Sequence, residues 1–344
     1  MRGFVEENSE RVVKAKRLGV PDGVPVTLSM TGHFICGYVG LKQGLYYRDP
    51  KTMYEAQRIV HRDFFGLTSF FPDFGVSMLP SGFGARLLWK EDDAPWVYPL
   101  VHSFNEVERL PQPDPYRDGL MPKSIAFYRY METRAGVELV DYGSDLGPFD
   151  TAALLRGQVE ILQDMARNPA LIDALMEKAT RAVIDWFKVK REVVGALPKT
   201  RLADDFIGNL SPQLFNRFVA QHYRRVFEEF PSASHELHCD GALTQLLDEL
   251  PGAGVQVLST FDPNVNLLEA KRKLGGKVCL QGNVAPFLLL RGSPDEVEEA
   301  CRRKTAEGSP GGGYILSTGG ETIRNTPWRN IYTMIEAARA SSPR

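Results

Sequence analysis

Cysteine is scarce in this chain, with four in 344 residues and no Cys-x-x-Cys pair. So few thiols, so spaced, build no disulfide framework, and a reducing, cytoplasmic compartment is expected. An excess of charge of either sign is also missing: 41 Lys and Arg stand against 43 Asp and Glu, a net charge of -2. That balance leaves no electrostatic footprint for DNA or RNA, so no nucleic-acid partner is expected. Long apolar runs are absent as well; none approaches the roughly 20 residues that span a bilayer, and no membrane partner is expected. The opening stretch, MRGFVEENSERVVKAKRLG, is polar and charged, without the apolar core of a secretory signal. What remains is an ordinary globular composition, 43% apolar and 24% charged. At about 150 residues per domain the length suggests two domains, yet one α/β barrel can use all of residues 1–344.

Helix starts are the clearest local signals. Five capping residues precede proline: Asp49-Pro50, Asn168-Pro169, Ser211-Pro212, Ser293-Pro294 and Thr326-Pro327. The capping oxygen accepts an orphan backbone N–H, and proline at the first helical position gives up a donor that had no partner. Ser293 with Glu296 forms a capping box. After Asn168, the spacing of Ile172, Leu175, Ala179, Ala182, Val183 and Trp186 predicts a core-facing helical stripe. Between helical stretches lie eight short apolar, β-branched runs: 25–30, 67–71, 138–142, 200–203, 234–238, 255–259, 277–281 and 314–317. Strand and helix in alternation imply parallel strands with crossover helices, and eight such units suggest a closed (β/α)8 barrel of the TIM type. An N-terminal helical extension precedes it, and a β-hairpin excursion is expected near residues 82–100 around Lys90-Glu91-Asp92-Asp93. The final residues, from Ala340 to Arg344, are expected to fray.

Barrel active sites lie where the strands end. Here those positions carry Gly32-His33, Asp73, Asp145, Asp204-Asp205, His238-Cys239-Asp240-Gly241, Asp262, Asn283 and Gly319-Gly320-Glu321. Loops hold aspartate as caps and turns in any case, but the recurrence of acids along one rim suggests a site. Gly311-Gly312-Gly313 precedes a strand rather than opening a helix, so a flexible turn is expected there and not a phosphate cradle.

Several blocks of this chain resemble the uroporphyrinogen decarboxylase superfamily, which includes corrinoid-dependent methyltransferases. They are HCDG (238–241), NLLEAKRKLG (266–275), GNVAP (282–286) and GGYILSTGGETIRNTPWRN (312–330), with weaker matches at GPFDTA (147–152) and FFPD (70–73). In order and spacing they cover roughly residues 20 to 340, and the resemblance implies the same single (β/α)8 barrel reached from the strand count. True uroporphyrinogen decarboxylases carry an arginine-rich motif after the first strand. Here that region reads Met30-Thr31-Gly32-His33-Phe34, so the counter-charges for a tetrapyrrole carboxylate substrate are missing. The methyltransferase branch that acts on thiols binds zinc through His-x-Cys and a later Cys. The histidine falls on His238, the first cysteine on Asp240 and the second on Gly320, beside Glu321.

What the resemblance implies is a metal site of His238, Asp240 and Glu321, holding one zinc per chain. Zinc accepts such ligands, and fewer sulfurs make the site harder. A zinc with N/O ligands suits polarisation of an oxygen, which directs the expectation from a thiol to a methyl ether or alcohol. The expected reaction moves a methyl group between that small substrate and cobalamin carried by a partner corrinoid protein. Asp73 matches an aspartate over the substrate in the decarboxylase branch; it can be a general acid, an anchor, or a helix cap before Gly75. Of the pair Asp204-Asp205, Asp205 is the catalytic candidate. His33 can be a ligand, a general acid or a polar lid residue. Asn283 can touch a bound group or only shape a turn. Cys239 should point away from His238 and Asp240, and Cys36, Cys279 and Cys301 read as buried packing. Two other readings stand beside the methyltransferase: a decarboxylase of a small carboxylic acid, and a non-catalytic small-molecule-binding barrel. Relatives are often dimers, which implies a homodimer that no single segment predicts.

Overall fold

The computed structural model describes residues 2–341. The expectation of fraying falls partly outside them, at 342–344; Ala340 is the last residue of the final helix.

Eight chain segments make the barrel wall, but they pair unequally. A short antiparallel hairpin comes first in the chain, β1 (Leu87–Leu88) with β2 (Trp96–Val97), where an excursion was expected. Six strands then pair in parallel and in sequence order: β3 (Ser144–Leu146), β4 (Lys199–Ala203), β5 (Ser234–Cys239), β6 (Val257–Phe261), β7 (Cys279–Val284) and β8 (Tyr314–Thr318). Isolated parallel bridges extend this sheet at both ends, Val26 to Leu316 of β8 and Phe70 to Val140 just upstream of β3. In space the eight segments therefore run second, third to eighth, first. Among the described residues no backbone hydrogen bond joins the first segment to the second.

The first two expected strands are thus single bridges rather than ladders. The third shifts along the chain: Val137–Leu139 is a turn of 3-10 helix, and the strand begins at Ser144. The cause is local. Gly136 takes a positive φ of 91°, and the Asp141 carboxylate accepts from the Gly143 N–H and the Ser144 hydroxyl at 2.9 Å each, a side-chain turn that competes with extended pairing.

The helices start as their caps dictate. Asp49, Ser211 and Ser293 accept the expected backbone N–H, and Ser293 with Glu296 completes the capping box. Asn168 precedes its helix without a side-chain cap, and Thr326 donates instead to Ile323, so the last helix begins at Trp328. The stripe from Ile172 to Trp186 is buried, as its spacing requires. The N-terminal helix, Arg2–Lys16, covers the bottom of the barrel: Ala15 packs on Val257, Cys279 and Ile315, and Lys16 Nζ reaches Glu236 at 2.5 Å. Gly311, Gly312 and Gly313 all take positive φ and turn the chain against Leu18 and Gly19, where a Cβ on Gly312 would meet Gly19 O at 2.4 Å. No helix among the described residues is long and apolar enough to cross a membrane.

Candidate metal centre

At the C-terminal end of β5 the chain alternates inward and outward, so Glu236, His238 and Asp240 share the barrel side while Leu237 and Cys239 face away. Cys239 lies within 3.6 Å of Asp205 O and 3.7 Å of Gly241 O, turned from the histidine as alternation predicts. All four cysteines are free and buried.

His238 is aimed by a bulge in the neighbouring strand. Leu237 pairs with Leu258 but Cys239 pairs with Phe261, so β6 carries one extra residue opposite His238. Thr260 absorbs it at φ 49°, a left-handed conformation that a β-branched residue rarely adopts. The reward is a fixed ring. His238 Nδ1 lies 2.5 Å from Thr260 Oγ1 and 3.2 Å from Ser259 O. Thr260 Oγ1 itself donates to Ser259 O, and a carbonyl only accepts, so Nδ1 carries the proton and Nε2 keeps its lone pair.

That lone pair faces two carboxylates. Asp240 Oδ1 lies 3.4 Å from His238 Nε2 and Asp205 Oδ1 3.9 Å. The ligand atoms of Asp205, His238 and Asp240 all fall within 4.8 Å of one another. Three electron-rich atoms converge, and the one donor among these residues is the Asp240 backbone N–H on Asp205 Oδ1, an arrangement that suits a cation. Burial first, then the Arg201 charge, lowers the His238 imidazole to about 4, so the ring is neutral and fit to be a ligand. Burial, with the charges of Asp205 and Glu321, pushes the Asp240 carboxyl up to about 8, a repulsion that a bound cation would reverse. A His, Asp, Asp set suits zinc or another divalent ion.

Asp205 thus stands with the metal candidates rather than apart from them. Its place is set by a carboxylate the sequence reading did not single out. Asp150, buried, accepts from the backbone N–H groups of Asp205 and Phe206 at 2.9 Å each, and Asp205 Oδ1 accepts from Asp240 N at 2.7 Å. Asp204 points the other way, capping the Pro148–Arg156 helix through Asp150 N at 2.6 Å and Phe149 N at 3.3 Å, with Tyr223 donating at 2.7 Å. Burial and the neighbouring carboxylates hold Asp150 well above the ordinary range.

Gly320 lies against this centre: a Cβ built on it would be 3.0 Å from Asp240 Oδ1. Positions 238, 240 and 320 therefore converge in space. Glu321 lies outside the three-residue cluster; its carboxylate accepts from Thr31 at 2.8 Å across the seam between β8 and the first segment. Although Glu321 is open to the mouth, lost solvation there, with the charges of Asp73 and Asp205, pushes its carboxyl up to about 7.

Of the remaining candidates, Asp73 and His33 stand beside the first and second segments and Asn283 on β7. Asp73 is buried and caps a helix other than its own: Gly32 N, at the start of the Gly32–Val39 helix, donates to Oδ2 at 2.7 Å, and Gly75 N donates to Oδ1 at 2.9 Å. Tyr46 lies 3.4 Å from the same Oδ2. Burial raises the Asp73 carboxyl above its ordinary value. His33 lies on that helix, exposed, with Nε2 3.8 Å from Asp93 of the hairpin loop. Asn283 is buried on β7; its amide donates to Asp262 O at 3.0 Å and Val265 O at 2.9 Å, while Oδ1 has no partner.

The acid rim expected from the sequence is therefore sorted into two kinds. Asp73, Asp205, Asp240 and Glu321 line the mouth. Asp145 turns outward to Lys190 and Trp186 at 2.6 Å each, Asp204 caps a helix, and Asp262 makes a turn with Asn264. Thr260, Asp150 and Arg201 carry the site but were missed. Of these, Asp150 stood inside the GPFDTA block without being singled out, and Arg201 left a lone charge inside the expected strand 200–203.

Comparison with known proteins agrees on the architecture. The uroporphyrinogen decarboxylase of Thermus thermophilus is 26% identical over 262 residues, 74% of each chain, and that of Chromohalobacter salexigens is 23% identical over 279 residues, 78% of each. A methyltransferase from Methanosarcina mazei superposes with a TM-score of 0.81 at 19% identity, over 96% of this chain and 97% of that one. A B12-independent methionine synthase from Shewanella shares the fold more loosely, with a TM-score of 0.51 at 13% identity over 86% of this chain and 89% of that one. The family model for uroporphyrinogen decarboxylase (URO-D) matches residues 7–341, and the chain belongs to that family.

Proposed function

We propose that this chain is a methyltransferase. It moves a methyl group between a small, oxygen-linked substrate and cobalamin carried by a partner corrinoid protein. One zinc ion would be held by His238, Asp205 and Asp240, and would supply Lewis-acid polarisation of the substrate oxygen. The observation that carries this reading is the convergence of the free His238 Nε2 with two carboxylates beside Gly320. The positions that hold sulfur in thiol-activating relatives here hold an oxygen and a glycine. Support also comes from the missing arginines after the first segment, which argue against a polycarboxylate tetrapyrrole, whatever the names of the sequence relatives.

The chain's own residues do the rest. Thr260 holds the imidazole so that Nε2 faces the mouth. Asp205 fixes the Asp240 backbone, and Asp150 fixes Asp205. Asp73 and Thr31 join the first segment to its neighbours and shape the wall where the substrate enters.

Elemental analysis of protein purified without chelators tests the metal, with about one equivalent per chain expected. Less than about a tenth of an equivalent of any transition metal sinks the metal-dependent reading. Reduced free cobalamin, supplied with aryl methyl ethers and followed by its visible spectrum, tests the transfer. Carbon dioxide release from small acids, indifferent to chelators and dependent on Asp73, would favour the decarboxylase instead.

A further inference from the structure

Arg201 occupies the middle of β4, in register with Ser144 of β3 and Glu236 of β5. Along β4, Thr200 and Leu202 are fully buried, while Lys199, Arg201 and Ala203 alternate to the other, partly accessible side. Ala203 pairs with His238, so Arg201 lies one layer below the metal candidates.

Its acidic neighbours are already engaged. Glu236 binds Lys16 at 2.5 Å, and Asp141 lies 2.8 Å from Lys199. Arg201 forms no ion pair among the described residues, and its buried Nε has no hydrogen-bond partner. A guanidinium stays charged at any physiological pH, and leaving one unpaired inside a protein is costly. Its fork of donors matches a carboxylate. The mouth above it holds four carboxylates, Asp73, Asp205, Asp240 and Glu321, while Arg324 and Lys90 near it are paired with Asp92 and Asp93.

We propose that Arg201 binds a carboxylate of the substrate, which restricts the substrates to small carboxylated methyl ethers presented to the His238 centre from below. The methyl-ether part rests on the function proposed above; the carboxylate part does not.

Calorimetric titration with 3-methoxybenzoate, with uncharged methoxybenzene and with inorganic phosphate tests it. The wild-type chain should bind the carboxylate at least about 10-fold more tightly than methoxybenzene, the scale of one charge-assisted pair, and more tightly than phosphate. Arg201→Met should erase that advantage, and Arg201→Lys should keep part of it, with the zinc content of both unchanged. A preference that survives in Arg201→Met, as it would if the carboxylate bound the metal directly, overturns the proposal. So does a wild-type chain with no preference, and a phosphate preference overturns the carboxylate assignment. His238→Ala should still discriminate through Arg201. A chain that recognises the carboxylate yet transfers no methyl group therefore separates failure of the proposed function from failure of this one.

Discussion

The two sides of the barrel are built differently. From β3 to β8 a continuous parallel sheet, bulged at Thr260, holds the wall by backbone pairing, and its strands and strand ends carry Asp205, His238, Asp240 and Arg201. From residue 17 to residue 142 the wall rests on two single bridges, helices and a hairpin, joined at its seam by side chains. There the Asp73 carboxylate and the Thr31 hydroxyl do what strand pairing does elsewhere. A ladder places an imidazole within a few tenths of an ångström, which a metal centre needs. A wall tied by side chains can shift at lower cost, which suits entry of a substrate and approach of a partner.

If that division is right, substitutions on the ladder should act on metal and those on the seam on stability. The largest effect is expected for His238→Ala: metal affinity should fall by more than about 100-fold and turnover with it, while the melting temperature changes little, as read by elemental analysis and calorimetry. Retained metal would break the comparison at its centre. Thr260→Val keeps the volume but removes the oxygen that accepts from His238 Nδ1–H. Metal affinity should drop by about 10-fold, with Ser259 O left to orient the ring. Asp73→Ala should leave the metal content intact and cost about 1–3 kcal/mol in denaturant unfolding, because two backbone N–H groups lose their acceptor in a buried place. A loss of metal in this variant would show that the two sides act as one.

The smallest effect expected is a pH dependence where the two sides meet. Burial alone would raise the Asp141 carboxyl, but Lys199, the Gly143 N–H and Arg201 outweigh it and hold it well below the usual carboxylate range. A folded value below the unfolded one stabilises the protein above about pH 4, and the contribution is lost as pH falls through the folded value. Asp141→Asn should therefore lower stability by about 1 kcal/mol at neutral pH and flatten its acid-side decline, as measured by melting temperature between pH 7 and pH 3.

The ladder side was also the legible side. The run 314–317 read directly from its apolar composition, as a buried parallel strand dictates, whereas 200–203 and 234–238, which carry Arg201 and Glu236, read from their place between helical stretches. The 25–30 and 67–71 runs look alike in sequence but make one bridge each; pairing depends on what lies alongside, which periodicity does not record. His238 and Asp240 were legible through the HCDG block and the i, i+2 alternation that puts both on one face. Asp205 could be named as a candidate, but not as a companion of His238, since the two lie 33 positions apart and meet only through adjacent strands. Thr260 gave no sign, because nothing in VLSTF marks the extra residue of a bulge.

By itself, the sequence determined the alternation of strand and helix, the caps that start the helices, the rim on which polar residues gather and the family to which they point. These are local properties, written in spacing and composition. The tertiary structure alone decided which acids face the mouth and which serve as caps, that Asp205 and not Glu321 sits within reach of His238, and that Arg201 forms no ion pair among the described residues. Each of these depends on what a neighbouring strand presents across about 5 Å, and that neighbour comes from a distant part of the chain.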